Sequence, residues 1–469
     1  MNILSIDGGG SRGVMEAMLL DDVMRLVTLM KNDPQPELIE LIATMNDDAR
    51  ESLRREQEEK EQRENNVGWA EYHFRSLYNY FRPTNHPKVK DLGKFGFREK
   101  LEEIEEKEVI HPTKIFDMIA GTSTGSLMAF ALVAGVNIEG ERAPMSVERI
   151  IEMYKEVTPK IFHDRHRRKD GGFKDGQLRY WSGQPERKAQ DGVREELEKV
   201  FGDITLHKIT PRVSNNNCIA AAVASEFNLD PKNPDKLEIF DTVNRDHRFI
   251  KVKDVLLASS DAPVYFVTPH TIGHKKYVDG GLTGNCPLIT ALPRLLEIYK
   301  DQNPELQTVI SIAPPSQEAP PFNDLLEDWL KYFPAQFTDG FKVYMTSKSI
   351  YSGADKATFA RASPSSEKAQ AFKMDEMNVD KMIRTIEEER MEDQNYYNVI
   401  LDMAALTVSR LEDVELTEMF LKMIIEVVID IRSRRSYDIA IRVCKNIIEK
   451  IQESGRESRI ELSRGEITS

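Results

Sequence analysis

The sequence predicts an α/β fold: a three-layer α/β/α domain on a mostly parallel central sheet, with a charged helical insertion and a helical C-terminal region. Three observations predict it. A short apolar run at the start, Ile3 to Ile6, passes through DGGGSRG into a helical pattern from about Val14 to Met30. A second run, Ile115 to Ala120, passes through GTSTG into the helix formers Leu127 to Leu132. Between and after them, short buried-strand compositions alternate with helical patterns as far as Ala313, and beyond Pro320 the pattern is helical. The expected division is a principal domain over 1–320, carrying the insertion at about 33–111, and a helical region over 321–469.

Bulk properties narrow the classes. A chain of 469 residues suits two or three domains, or one large domain with insertions, and 40% apolar residues suffice for a substantial core. A net charge of −14 argues against nucleic-acid binding and gives no general attraction to anionic membranes, although local basic patches can still act. Cys218, Cys286 and Cys444 are odd in number and far apart, which fits neither a disulfide framework nor a zinc site but fits a reducing compartment. Met1-Asn2 leads straight into the first strand, so no secretory signal is expected. No stretch approaches the roughly 18 apolar residues that a membrane span needs. The expected location is cytoplasmic.

In the first unit, three successive glycines let several backbone N–H groups point into one cavity. Such a nest suits a phosphate or the oxyanion of acyl transfer. Gly8, Gly10 and Gly13 formally satisfy G-x-G-x-x-G. A dinucleotide site would then need a second strand ending in an acid about 20 residues on. Here DPQP and a charged helix follow instead, and Asp7 at the loop entrance would repel a pyrophosphate. The absence of G-K-[ST] excludes a P-loop.

The insertion reads as charged helix. Arg50, Arg54, Arg55, Lys60 and Arg63 are interleaved with glutamates, the pattern of a solvated helix or hairpin. Trp69 to Phe81 is aromatic-rich and suits packing rather than base stacking, and Phe97 to Glu108 is a further charged helix.

The second unit, strand then G-x-S-x-G then helix, has the form of a nucleophile elbow. The tight turn would leave the Ser123 hydroxyl at a helix start, where developing negative charge is favoured. The competing reading is a glycine-rich turn with a capping serine. Further on, helices are expected over Met145–Val157, Gly192–Val200, Lys253–Ser260 and Leu288–Tyr299, and strands over Cys218–Ser225, Leu237–Thr242 and Gln307–Ala313. His163 and His166 lie in a basic stretch without a second ligand pair, so that stretch reads as a basic loop that could face lipid headgroups. Asp279-Gly280-Gly281 ends a strand at Tyr277-Val278. It is either an ordinary Asp-Gly turn or an acid placed for chemistry. The helical patterns Tyr396–Leu411, Val414–Arg432 and Tyr437–Ile451 suggest a bundle from about Asp375 to Ser454.

A serine nucleophile needs a base. The usual order in α/β-hydrolases is serine, acid, histidine. The last of the nine histidines is His274, so none follows Asp279 and a late-histidine triad is impossible. The leanest set is Ser123 as nucleophile and Asp279 as base. The N–H groups of Gly9 and Gly10, with those of Ser11 and Thr124, would hold the oxyanion. Desolvation would have to raise the Asp279 pKa for efficient base catalysis.

DGGGSRG, GTSTG and DGG, in that order and each at a strand end, together with SSDAPVYF and YVDGGLTGNCP, resemble the patatin-like phospholipase family, which includes calcium-independent phospholipases A. The resemblance covers roughly residues 1–30 and 112–315. It implies a Ser123–Asp279 dyad and an oxyanion hole at Gly8, Gly9 and Gly10, with Ser11 beside it. Arg12 matches the family's basic residue, and Gly121, Thr124, Gly125, Gly280 and Gly281 support the two turns. It implies a lipid acyl hydrolase of phospholipids working without metal or cofactor, in peripheral contact with membranes. Three departures stand out: Ser126 for a glycine, Cys286 for an asparagine, and Ala313-Pro314-Pro315 for Gly-Thr-Gly. The insertion and C-terminal helices have no assignable family counterpart. They could gate access as a lid, or dock an activator protein or small ligand. Two other functions stay open: a catalytically silent lipid- or protein-binding module, and an esterase or thioesterase on soluble acyl groups.

Overall fold

The computed structural model describes residues 1–32, 103–134, 136–138, 141–166, 187–209, 217–227, 236–262, 269–302, 304–316, 340–354, 357–372 and 376–392, and positions 400, 403, 404 and 407. The 33–102 part of the expected insertion, most of the C-terminal helices, the 167–186 part of the basic stretch and Pro263–Phe266 lie outside these residues. The chain divides into two compact units. One comprises residues 1–24 and 109–389, and the other 25–108 and 390–469. In the second, Arg25 Nη1 donates to the Ile104 carbonyl at 2.7 Å, tying together the two sides of the insertion.

The first unit is built on one sheet. Strands β1 (Asn2–Ile6), β2 (Met118–Thr122), β5 (Ile219–Glu226), β9 (Thr308–Ile312) and β10 (Thr358–Ala362) run parallel in the order β10-β9-β1-β2-β5. β6 (Lys236–Asp241) and β8 (Lys275–Asp279) pair antiparallel with β5, and β7 (His270–Ile272) pairs antiparallel with β8. β3 (Val136–Ile138) and β4 (Glu141–Ala143) form a separate hairpin. Phe359, Val309, Ile3, Met118 and Ile219 stand opposite one another across the five parallel strands, and all are buried in one core. Side chains alternate along a strand, so such transverse rows give each face its own core.

Helices cover both faces, giving the expected three layers. α2 (Thr124–Ala134), α3 (Val147–His166), α4 (Arg187–Phe201) and α5 (Val252–Ser260) form one packed group against β2, β5 and β8. α6 (Leu288–Ile298) and α7 (Gly340–Ala354) pack on each other, and Leu288, Leu292, Leu295 and Tyr344 join the core row of the strands. α1 (Gly13–Asn32) follows the glycine loop, and α8 (Val379–Glu392) lies beyond β10. Among the described residues no helix is long and apolar enough to cross a membrane.

Most expected elements appear within a few residues of their sequence bounds. The clear difference is β10, in a stretch where only helix was expected. Its Arg361 breaks the apolar run that would mark a strand, because its charge is satisfied inside the protein by Asp7. β3, β4 and β7 were also not expected; each is only three residues long, too short for a period to show.

The register of β5 positions the functional turns. One edge of β5 pairs with β6 from Ala221 to Glu226. The other edge must therefore be shared: β2 occupies it from Ile219 to Val223, and β8 from Ala224 to Glu226. Thr122 stands opposite Val223 and Asp279 opposite Ala224. β2 and β8 thus meet end to end, and the residues at their ends, Ser123 and Asp279, enter the same gap.

Candidate active site

Ser123 has φ 53°, and among the described residues it is the only non-glycine with positive φ. That backbone costs about 1–3 kcal/mol. Burying one Leu recovers a similar amount, and the apolar row beneath supplies several. The strain persists because β2 and α2 are held on both sides of the turn. The turn also needs glycine at its flanks. A Cβ on Gly121 would collide with the Gly125 backbone, and one on Gly125 would sit 2.5 Å from the Asp7 carbonyl oxygen. The elbow and the N-terminal loop are therefore in direct backbone contact.

Hydrogen bonds fix the turn from behind. Ser123 N–H donates to Ser259 Oγ at 3.1 Å, and Ser259 Oγ–H donates to the Val223 carbonyl at 2.6 Å. Ser126, where a glycine is usual, donates its hydroxyl to the Ser123 carbonyl at 2.5 Å. The Asp-Gly-Gly turn is held in the same way. Asp279 N–H donates to the Asp261 carbonyl at 3.1 Å, and Gly280 N–H to that of Ser259 at 3.2 Å. α5 and the residue after it thus brace both turns.

Ser123 and Asp279 come together. The Ser123 hydroxyl lies near enough to the Asp279 carboxylate to favour its charged form, and Gly281 N–H donates to Asp279 Oδ1 at 2.7 Å. Asp279 is buried at 6% exposure. Burial raises its pKa to about 6 from 3.8, and both contacts oppose the rise. The carboxyl is then ionised at neutral pH yet basic enough to take a proton. No histidine among those described takes this place. His111 bonds the Met145 carbonyl and Thr113, His207 bonds Thr205 and the Arg248 carbonyl, His247 bonds Asn244, and His270 faces Asp254.

The glycine loop lies beside this pair. A Cβ on Gly8 would be 2.8 Å from that of Ser123. Gly8 N–H donates to Asn285 Oδ1 at 3.1 Å, and Asn285 Nδ2 donates back to the Gly8 carbonyl at 3.0 Å. Gly9 N–H donates to Thr124 Oγ1 at 3.1 Å. Gly10 N–H finds no partner among the described residues. Ser11 is buried, and its carbonyl accepts from Gly13 N–H in the first turn after the loop. Arg12, also buried, donates from Nε to the Gly9 carbonyl at 3.3 Å and from Nη1 to the Pro315 carbonyl at 3.1 Å. Arg12 therefore braces the loop. Pro315, in the stretch that replaces Gly-Thr-Gly, serves as its anchor. Cys286, in place of an asparagine, is a buried thiol 3.6 Å from Ser5 Oγ.

Sequence reasoning singled out Ser123, Asp279, the glycines and Arg12, and the structure gathers these around one gap. It missed Ser259, Asn285 and Arg361. Ser259 and Asn285 lie in segments that carried the family resemblance, SSDAPVYF and YVDGGLTGNCP. Arg361 had no sequence signal.

Residues 110–292 match the family model of the patatin-like phospholipases, which bears out the resemblance read from the motifs. Three curated relatives are similar. Patatin-like protein 1 of Arabidopsis thaliana is 25% identical over 226 residues, covering 45% of this chain and 49% of that protein. A cGAMP-activated phospholipase of Pseudomonas aeruginosa (strain BWHPSA011 / Pa011) is 27% identical over 197 residues, covering 42% and 51%. A cGAMP-activated phospholipase of Vibrio cholerae serotype O1 (strain ATCC 39315 / El Tor Inaba N16961) is 28% identical over 212 residues, again covering 42% and 51%. The chain spans about half the length of each of these relatives.

Proposed function

We propose that this protein is a lipid acyl hydrolase that cleaves fatty acyl esters of phospholipids through an acyl-Ser123 intermediate, with Asp279 as the base. One observation carries the reading: a strained Ser123 and the buried Asp279 carboxylate are brought into the same gap by the register of β2 and β8 on β5. Ser123 Oγ attacks the ester carbonyl while its proton passes to Asp279. The carbonyl oxygen becomes an oxyanion and takes the N–H groups of Gly10 and, once Thr124 yields its bond, Gly9. Collapse breaks the ester C–O bond, and Asp279 returns the proton to the departing lysophospholipid oxygen. Water then attacks the acyl-serine, loses a proton to Asp279 and releases the fatty acid, and the proton goes back to Ser123. The match to the patatin-like phospholipases supports the phospholipid as substrate.

Product analysis of phospholipid vesicles tests this reading. Wild type should release free fatty acid and lysophospholipid, and Ser123→Ala neither. Hydrolysis confined to soluble monomeric esters would favour an esterase or thioesterase instead. We further propose that the chain beyond about residue 390 is a separate helical region and that the catalytic domain ends near Glu389. Limited proteolysis should give a stable fragment ending near Glu389; cleavage within the 1–389 region first would count against it.

The working form of Asp279 is the carboxylate, and its carboxyl is held at about 6. kcat/KM should therefore be constant above that pH on the acid side of the profile. It should fall about tenfold per pH unit below it. A pH–rate profile with no acidic limb between pH 4 and 7 would remove Asp279 as the base.

Two of the relatives are named for activation by cGAMP. We propose that a small ligand of the cyclic-dinucleotide class raises the activity of this chain as well. Fatty-acid release measured with and without cGAMP and its cyclic homologues should show a rise of tenfold or more with at least one of them. Equal rates with all of them, at concentrations up to millimolar, would sink this expectation.

A further inference from the structure

The row of residues above the apolar one is not apolar. Arg361, Ser311 and Ser5 stand opposite one another across β10, β9 and β1, on the face that holds Phe359, Val309 and Ile3. Two residues past Ser5, just beyond the end of β1, comes Asp7, which opens the glycine loop. Its carboxylate is 1% exposed. Arg361 meets it with two parallel bonds, Nη1 to Oδ1 at 3.2 Å and Nη2 to Oδ2 at 2.5 Å. Arg361 Nη1 also donates to Ser311 Oγ at 2.5 Å, and the guanidinium lies 5.4 Å from the Tyr344 ring centroid. The approach is closed from above by the start of α7, where a Cβ on Gly340 would collide with Asp7 Oδ2. The pair is fixed and buried.

Its place matters for the reaction. Asp7 precedes the glycine loop, which comes against Ser123 at Gly8, and its own carbonyl touches the elbow at Gly125. An unpaired carboxylate there would oppose the oxyanion from a buried position, where solvent screens little. The other acid nearby, Glu16, is buried behind Gly9, and burial, then the charge of Asp7, raises its pKa well above the usual range, with Arg12 and Arg361 opposing. Burial thus disfavours a charge on Glu16. Asp7 is the anion that has to be balanced.

We propose that Arg361 is a positioning residue for the acyl-transfer site: it cancels and fixes the charge of Asp7, the residue that leads into the glycine loop. The inference rests on the Ser123–Asp279 reading above. It extends the site to β10, outside the 110–292 segment that matches the family.

The test is a double-mutant cycle on the full chain, with fatty-acid release from phosphatidylcholine vesicles and thermal unfolding as readouts. Arg361→Met leaves the Asp7 charge unbalanced. It should lower kcat by about 10²-fold, the scale of losing one oxyanion donor, with KM changed less than about threefold. Asp7→Asn combined with Arg361→Met removes both charges and should recover at least tenfold of that loss. Wild-type kcat in Arg361→Met would overturn the proposal. So would a double variant that unfolds at the wild-type temperature yet is as slow as the single one. Failure of both variants to fold would assign the pair to stability alone and overturn it equally. Absence of Ser123-dependent release from wild type would instead sink the hydrolase reading itself.

Discussion

Ser123→Ala will lower kcat for fatty-acid release by roughly five to six orders of magnitude, leaving KM nearly unchanged. The size of the loss follows from the division of labour at the site. Without the hydroxyl no acyl-enzyme can form, and Asp279 can only assist a slow direct attack by water. The residual rate would come from the oxyanion amides and from holding the ester in place. The fold should tolerate the change, because alanine at φ 53° carries much the same strain as serine. One secondary effect is expected. The Ser123 hydroxyl holds the Asp279 pKa down, so its removal should push that carboxyl above about 6. Carboxylate chemical shifts compared between wild type and Ser123→Ala would show it. A variant that keeps more than about a thousandth of wild-type kcat would contradict the covalent route.

Asp279→Asn should cost about four orders of magnitude in kcat, because the base is removed from the serine it activates. The same substitution should make the protein more stable at neutral pH. Asp279 titrates at about 6 in the fold against 3.8 as a free side chain. An acid raised in this way holds its proton more tightly when folded, so stability is lost as pH rises from about 4 through 6. At about 1.4 kcal/mol per tenfold change in acidity, the loss is about 3 kcal/mol and is complete above pH 6. Asparagine keeps an oxygen to accept from Gly281 N–H but carries no charge. The variant should therefore unfold at higher temperature than wild type at pH 8 and at nearly the same temperature at pH 4. A melting temperature lower than wild type at pH 8 would mean that the carboxylate is held by contacts worth more than its desolvation. Such opposition between stability and chemistry is expected where a buried charge is kept for function.

Much of this was legible in the sequence, and for physical reasons. GTSTG could be read because a serine in that backbone forces small residues on both sides, and Gly121 and Gly125 are in contact with neighbouring backbone. DGGGSRG could be read because a loop that presents amides beside a nucleophile cannot carry Cβ atoms at Gly8. The missing histidine after Asp279 removed the usual triad and pointed to the carboxylate as base. What was not legible depends on contacts between distant segments. Asn285 holds Gly8 from 277 residues away, and Arg361 reaches Asp7 across 354. A lone arginine in an otherwise apolar segment reads as solvent-facing, and β10 was lost with it. The end-to-end meeting of β2 and β8 along β5 is likewise a matter of register, which a single strand sequence does not encode.

The most direct test of the Ser123–Asp279 site is the mapping of a fluorophosphonate adduct by peptide mass spectrometry. Wild type should carry one adduct, on Ser123, with Ser123→Ala unlabelled and Asp279→Asn labelled far more slowly. An unlabelled wild type, or labelling at another residue that persists in Ser123→Ala, would contradict the account.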